Sequence, residues 1–228
     1  MENKDIAIVG MSCFAPDAAN VTQYWNNLVN GHDSVIDAPA DRIDPRYFEG
    51  APAIDRFYCK KGAFIPEILF DPMEYSILPV AVEGMDTAHL LGLKSVYAAL
   101  DDAGVFKKNV SLNKCALIIG KGNYAGGAIW RALNVVHVGE QVVDVVKTIL
   151  PDITEDELTK IKKAYQASCG RYQADSMPGL VPNLIASLIS NKLDMHGPAY
   201  TVDAACASSL IALEHCVNEL HSGRCDIA

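Results

Sequence analysis

Three short β-rich runs, each followed by an amphipathic helix, constrain this chain more than any other feature. Ile6-Ala7-Ile8-Val9 is closed by Gly10, Cys115-Ala116-Leu117-Ile118-Ile119 by Gly120, and Ala199 to Asp203 by a turn of small residues. Continuous apolar runs of this length read as buried strands. Strands that alternate with helices predict an α/β fold with a mostly parallel sheet. The helices are marked by their ends. Asn20 or Thr22 caps a segment carrying Val21, Tyr24, Trp25, Leu28 and Val29, and Gly31 closes it. Asp86 opens a second helix with Leu90, Leu93, Tyr97 and Leu100 on one face, ended by Gly104.

Between these helices, residues 32 to 85 are broken by six prolines, which predicts loops, short helices and a hairpin. Residues 128 to 167 read as helical, with Pro151 as a break and Thr154-Glu155-Asp156-Glu157 as a capping box. A further helix is expected over about 182 to 191. The last helix carries Leu210, Leu213, Val217 and Leu220 as one apolar stripe, and Cys225-Asp226-Ile227-Ala228 starts another strand.

Charge narrows the partners. Lys and Arg number 19 against 28 Asp and Glu, a formal charge of −9 in 228 residues, so the overall field opposes nucleic acid and anionic membranes. No run approaches the roughly 20 apolar residues of a membrane span, and the first residues lack the basic stretch of a signal peptide. A cytoplasmic protein is expected. The seven cysteines include no C-x-x-C pair, so neither a disulfide framework nor a zinc site is indicated.

One cysteine has a distinctive neighbourhood. Cys206 lies in Val202-Asp203-Ala204-Ala205-Cys206-Ala207-Ser208-Ser209, between a strand and a strongly patterned helix, flanked by alanines that let other atoms approach. A thiol at a helix N-terminus feels the positive end of the dipole, which favours the thiolate. On these features alone two readings stand: a small buried hydrophobe, or an acyl-accepting nucleophile whose backbone N–H faces an oxyanion.

Two other patterns have competing readings. Gly120-Lys121-Gly122-Asn123-Tyr124-Ala125 formally matches the G-x-G-x-x-A dinucleotide fingerprint, with Glu140 as the acidic residue, or is a Gly-rich turn at a strand end. Arg42, Arg46, Arg56, Lys60 and Lys61 are either a solvated loop or a docking face for an acidic protein.

Thr201-Val202-Asp203-Ala204-Ala205-Cys206-Ala207-Ser208-Ser209 resembles the active-site segment of β-ketoacyl synthases, the condensing enzymes of fatty acid and polyketide synthesis. Other segments agree in order. Ile6 to Cys13 resembles the family's opening strand, Trp25 to Gly31 its first helix, and Leu100-Asp101-Asp102-Ala103-Gly104 a helix end. Pro39 with Arg42, the Asp71-Pro72 turn, and Ile185-Ala186-Ser187 to Asp194 with Gly197-Pro198 have counterparts too. The likeness runs from about residue 5 to 228. Gly62-Ala63-Phe64-Ile65 and Met85-Asp86-Thr87-Ala88-His89 are closest to synthases of polyunsaturated fatty acids, since modular polyketide synthases usually carry Met-Asp-Pro-Gln-Gln-Arg at the second place.

The resemblance implies a thiolase-like α/β/α sandwich, of which residues 1–228 form the N-terminal half only. It implies that Cys206 takes an acyl group from the phosphopantetheine arm of an acyl carrier protein, with its own N–H in the oxyanion hole, and that no cofactor is bound by the chain. Malonyl carrier protein then loses CO2, and the enolate attacks the thioester. The family's two catalytic histidines, in His-Thr-Gly-Thr-Gly and Asn-x-Gly-His segments, and the lysine between them do not occur here. Acyl loading is therefore the partial reaction these residues support, and the decarboxylative step needs residues absent from the chain.

His215 and His221 lie in the last helix and are expected to be solvated or capping. His196 receives no role, and His32, His89 and His137 have no site context. The resemblance further implies a homodimer with Ala199 to Asp203 as the self-association edge. The alternatives are a non-catalytic scaffold or truncated remnant, and a thiolase-like or coenzyme A-dependent acyltransferase.

Overall fold

The Asn20 side chain accepts a hydrogen bond from the Gln23 backbone N–H and starts helix α1 (Val21–Val29), which Gly31 ends at φ +62°. This computed structural model describes residues 5–122, 126–170 and 172–228. The proline-rich stretch after α1 forms a hairpin of β1 (Ile36–Asp37) and β2 (Lys61–Gly62), paired antiparallel, and short 3₁₀ turns at Pro45–Phe48 and Pro72–Tyr75. The one-turn helix α2 (Pro79–Val82) leads to α3 (Thr87–Asp102), capped by Asp86 and ended at Gly104 with φ +73°.

The remaining elements alternate as expected. Strand β3 (Leu117–Gly120) is followed by α4 (Gly127–Ala132), a π-helical segment at Leu133–Val138, α5 (Gly139–Ile149) and α6 (Glu155–Ser168). The capping box at the start of α6 is formed in both directions between Thr154 and Glu157. Helix α7 (Leu184–Lys192) begins two residues after Pro182. Strand β4 (Ala199–Val202) and α8 (Ser208–His221) complete the chain.

The sheet that positions the site is small. β3 and β4 run parallel, with Leu117 opposite Ala199 and Gly120 opposite Val202, and Cys115 bridges Ile227 on the other edge. Alternate residues of a strand face opposite sides. Leu117 and Ile119 face a core built from Leu93 of α3, Ile185 and Ile189 of α7, and Tyr75, Ile77 and Met195. Gly120 faces the other way, onto the first turn of α8. The arrangement is helices, sheet, helix.

Two expectations are corrected here. Ile6–Val9 is not a strand and is not buried: Ile8 is 73% exposed. A strand needs a hydrogen-bonding neighbour, and this segment lies instead on the side of α3. Met11 N–H donates to Asp102 (2.9 Å), Ser12 Oγ to the Ser95 carbonyl (2.8 Å), and Gly10 passes so close that a Cβ would stand 2.3 Å from the Ala99 carbonyl. The Leu210, Leu213, Val217, Leu220 stripe is likewise not buried along its length, since only Val217 and Leu220 are half-buried. Leu210 and Leu213 are 70% and 53% exposed, whereas Ser208, Ala212 and Glu219 are buried. Small residues at 208 and 212 let the helix approach the sheet at Gly120, and Leu210 and Leu213 turn away.

Asp86 and His89 are both buried. Asp86 caps α3 through Ala88 N–H (2.9 Å) and also accepts from Ala128 N–H (3.3 Å), which ties the start of α4 to α3. Burial lowers the His89 imidazole below its ordinary 6.5; Lys121 adds to this and Asp86 opposes it. The unfolded chain therefore takes up a proton before the folded chain does. Stability attributable to His89 is complete above pH 6.5 and is lost as pH falls from there toward the lowered native value, with a slope of at most about 1.4 kcal/mol per pH unit. His89→Leu should flatten the stability profile below about pH 6.5. Parallel profiles for the two proteins in denaturant titrations would refute this assignment.

Candidate active site

The turn between β4 and α8 is held by its neighbours. Ala205 adopts φ +48°, a left-handed conformation uncommon outside glycine. Asp203 Oδ1 accepts the Ala205 N–H (3.0 Å). Ser208 Oγ accepts the Ala204 N–H (2.9 Å) and donates to the Ala205 carbonyl (2.7 Å). Cys206 sits in the single 3₁₀ turn Ala205–Ala207 that follows, just before the start of α8, and is exposed as a free thiol.

The other cysteines differ in setting. Cys115 and Cys225 are buried and Cys216 is half-buried. Burial pushes the Cys115 thiol up to about 12 and raises those of Cys216 and Cys225. Cys59 is exposed but lies in the loop before β2, where its sulfur is engaged with the Lys61 backbone.

The histidines have settings of their own. His215 is half-buried, not solvated as expected, and its Nδ1 lies 3.1 Å from Tyr200 Oη. Tyr200 also donates to Glu219 Oε1 (3.1 Å). Arg224 Nη2 donates to the same Oε1 (2.8 Å), and its Nε lies 2.7 Å from Oε2. Glu219 is only 3% exposed, so the guanidinium neutralises a carboxylate buried under α8. Burial, then the bond to Glu219, raises the Tyr200 phenol. His196 pairs with Asp194 (2.8 Å) and His32 with Asp17 (3.0 Å). Helical spacing alone could have paired Glu219 with His215 at i, i+4, but not with Tyr200 or Arg224.

The fingerprint at 120–125 is explained in part by packing. Gly120 is required by the approach of α8, where a Cβ would lie 2.5 Å from the Ser208 carbonyl. Asn123, Tyr124 and Ala125 lie outside the described residues. Glu140 is ion-paired with Lys162 on α6. The basic stretch is largely paired at short range: Arg46 with Asp44 (2.5 Å), Arg56 with Asp55 (2.5 Å) and Lys61 with Asp37 (3.5 Å). The Arg46 guanidinium, through its hydrogen bonds, holds Asp44 below the usual carboxylate range. Arg42 donates to the Ile65 carbonyl, and Lys60 stands over the Phe48 ring. No group of three or more His, Cys, Asp or Glu among the described residues is placed to hold a metal ion.

Comparison with known proteins places this geometry. Residues 3–228 match the sequence family described as Beta-ketoacyl synthase, N-terminal domain. The chain is 36% identical to one subunit of the polyunsaturated fatty acid synthase of Thraustochytrium sp. (strain ATCC 26185 / S-3), with 97% of the chain and 8% of that protein aligned. It is 33% identical to the Polyketide synthase PksN of Bacillus subtilis (strain 168), over 98% of the chain and 4% of that protein. Among solved structures, the PfaC Keto synthase-Chain length factor superposes with a TM-score of 0.72 at 25% identity, covering 96% of this chain and 23% of that one. The chain thus spans a small part of each relative, and the expected α/β architecture is that of ketosynthase domains.

Proposed function

Because the chain belongs to the β-ketoacyl synthase family, whose N-terminal domain it matches over residues 3–228, we propose that it is the nucleophile-bearing part of a 3-oxoacyl-[acyl-carrier-protein] synthase in polyunsaturated fatty acid or polyketide assembly. The observation that carries this reading is Cys206, an exposed thiol on a strained strand-to-helix turn. The Cys206 thiolate attacks the carbonyl of an acyl group held on the phosphopantetheine arm of a carrier protein. The tetrahedral oxyanion is met by the Cys206 backbone N–H, the pantetheine thiolate leaves, and the acyl group stays on sulfur. Malonyl carrier protein then loses CO2, its enolate attacks the Cys206 thioester, and Cys206 leaves as thiolate with the 3-oxoacyl product on the carrier.

The second half of this reaction needs imidazoles outside these residues, which makes residues 1–228 one part of the catalytic unit. Surface area supports that reading. The chain exposes 14978 Å², whereas a folded monomer of this mass exposes about 10,000 Å². Exposed Ile8, Val9, Trp25, Leu28, Leu210 and Leu213 are part of the excess. A complementary half and a second copy along β4, forming a homodimer, would cover such faces. No described helix is long and apolar enough to cross a membrane, and we place the protein in the cytoplasm.

Mass spectrometry tests the proposal. The 228-residue chain incubated with an acyl-carrier protein thioester should gain the mass of the acyl group on the peptide that contains Cys206. Faster loading from acyl-coenzyme A than from the carrier would favour a thiolase-like enzyme, and no adduct from either donor would favour a scaffold.

A further inference from the structure

We propose that Ser208 is a positioning residue for Cys206, holding the residue before it in a strained conformation so that the thiol stands clear at the start of α8. The inference rests on the reading of Cys206 as the acyl-accepting nucleophile and adds a residue that this reading does not name. Ser208 is 6% exposed, and both hydrogen bonds of its hydroxyl go to the turn rather than to its own helix ladder. It accepts from Ala204 N–H and donates to the carbonyl of Ala205, the residue at φ +48°. The two bonds bracket the one peptide where an L-residue resists the left-handed region.

The base of the clamp is also fixed. The Ser208 carbonyl and its carbon lie against Gly120 at the end of β3, at distances where even a methyl group on that residue would not fit. Ser208 therefore transmits the position of the sheet to the turn. An alanine there keeps the helix and the packing at Gly120 but leaves Ala204 N–H and the Ala205 carbonyl without these partners, so that the Asp203 bond to the Ala205 N–H alone opposes relaxation of Ala205 to negative φ. That relaxation rotates the following peptide and carries Cys206 with it.

The test is a double-mutant cycle between Ser208 and Ala205, read as the rate of iodoacetamide alkylation of the Cys206 peptide by mass spectrometry, with urea midpoints measured in parallel. In the Ala205 background, Ser208→Ala should slow alkylation on the order of tenfold, as expected for releasing a strained non-glycine residue. In the Ala205→Gly background the same change should cost less than about threefold, because glycine holds positive φ without a clamp. Equal losses in both backgrounds, or no loss beside Ala205, would overturn the proposal. Should Ser208→Ala not fold beside Ala205, the double variant decides: folded and alkylated at nearly the rate of Ala205→Gly supports the clamp, and slow alkylation or failure to fold overturns it. Alkylation needs no acyl donor, so a chain that takes no acyl group sinks the synthase reading without altering these ratios.

Discussion

Cys206→Ala is expected to abolish acyl loading of the chain, by at least about a thousandfold, while its stability stays within about 0.5 kcal/mol of the parent. The two halves of this expectation have separate causes. Cys206 is exposed and lies between two alanines in a 3₁₀ turn, so alanine at 206 removes the sulfur and little packing. Cys115, Cys169, Cys216 and Cys225 are poorly equipped to substitute. The Cys115 thiol, pushed up to about 12 by burial, stays protonated at neutral pH, and burial raises Cys216 and Cys225 in the same sense. Cys169 donates to the Tyr165 carbonyl at 3.3 Å. Cys59 is the exposed control: Cys59→Ala should leave loading unchanged. Peptide mapping after incubation with acyl-carrier protein checks each site. Persistent acylation of the alanine variant at another cysteine would remove Cys206 from the mechanism.

What is legible in the sequence follows a physical division between local and distant causes. The Asn20 and Asp86 caps, the Thr154–Glu157 box and the glycine stops at 31 and 104 are all readable, because each depends on residues within one helical turn. The strands at Leu117–Gly120 and Ala199–Val202 are legible as short runs closed by a glycine and by a turn of small residues, whereas their parallel pairing comes only from the tertiary structure. The orientation of α8 does not follow from its apolar stripe, because the deciding contact is Gly120 against Ser208, 88 positions apart by subtraction of their residue numbers. Ile6–Val9 has the composition of a buried strand, but composition does not supply the neighbouring strand it needs. Asp86 is legible as a cap and not as the tie to Ala128, since that second bond spans 42 positions.

The site divides in the same way. The position of Cys206 before a helix is readable from the pattern, and its proposed chemistry comes from the likeness of the surrounding motif to a family. Ala205 at positive φ is not readable, because alanine is a residue that ordinarily avoids that region. The Tyr200–Glu219–Arg224 group escapes the sequence for a related reason. A glutamate on a helix reads as a solvated residue, and only the tertiary structure shows it buried with a tyrosine and an arginine around it.

Gly120→Ala should be the most damaging single methyl in the chain's active-site region. Its Cβ would stand 2.5 Å from the Ser208 carbonyl oxygen, 2.6 Å from that carbonyl carbon and 2.8 Å from the Ser209 nitrogen. All three are backbone atoms, so no side chain can rotate away, and relief requires moving the first turn of α8 off the sheet. Overpacking a core ordinarily costs about 1–3 kcal/mol; with only backbone to yield, about 3 kcal/mol or more is expected, equivalent to a fall in Tm on the order of 10 °C for a chain this long. Gly62→Ala is the contrast, since its Cβ would meet only the Phe64 ring at 3.2 Å, and a small effect is expected. Thermal unfolding of both variants measures the difference. The same experiment tests what requires glycine at the start of the Gly120-Lys121-Gly122 turn. If packing against α8 were not what requires Gly120, alanine would leave the unliganded protein's Tm intact. A large loss without any ligand, together with slower alkylation at Cys206, assigns the glycine to the packing that sets α8 beneath the nucleophile.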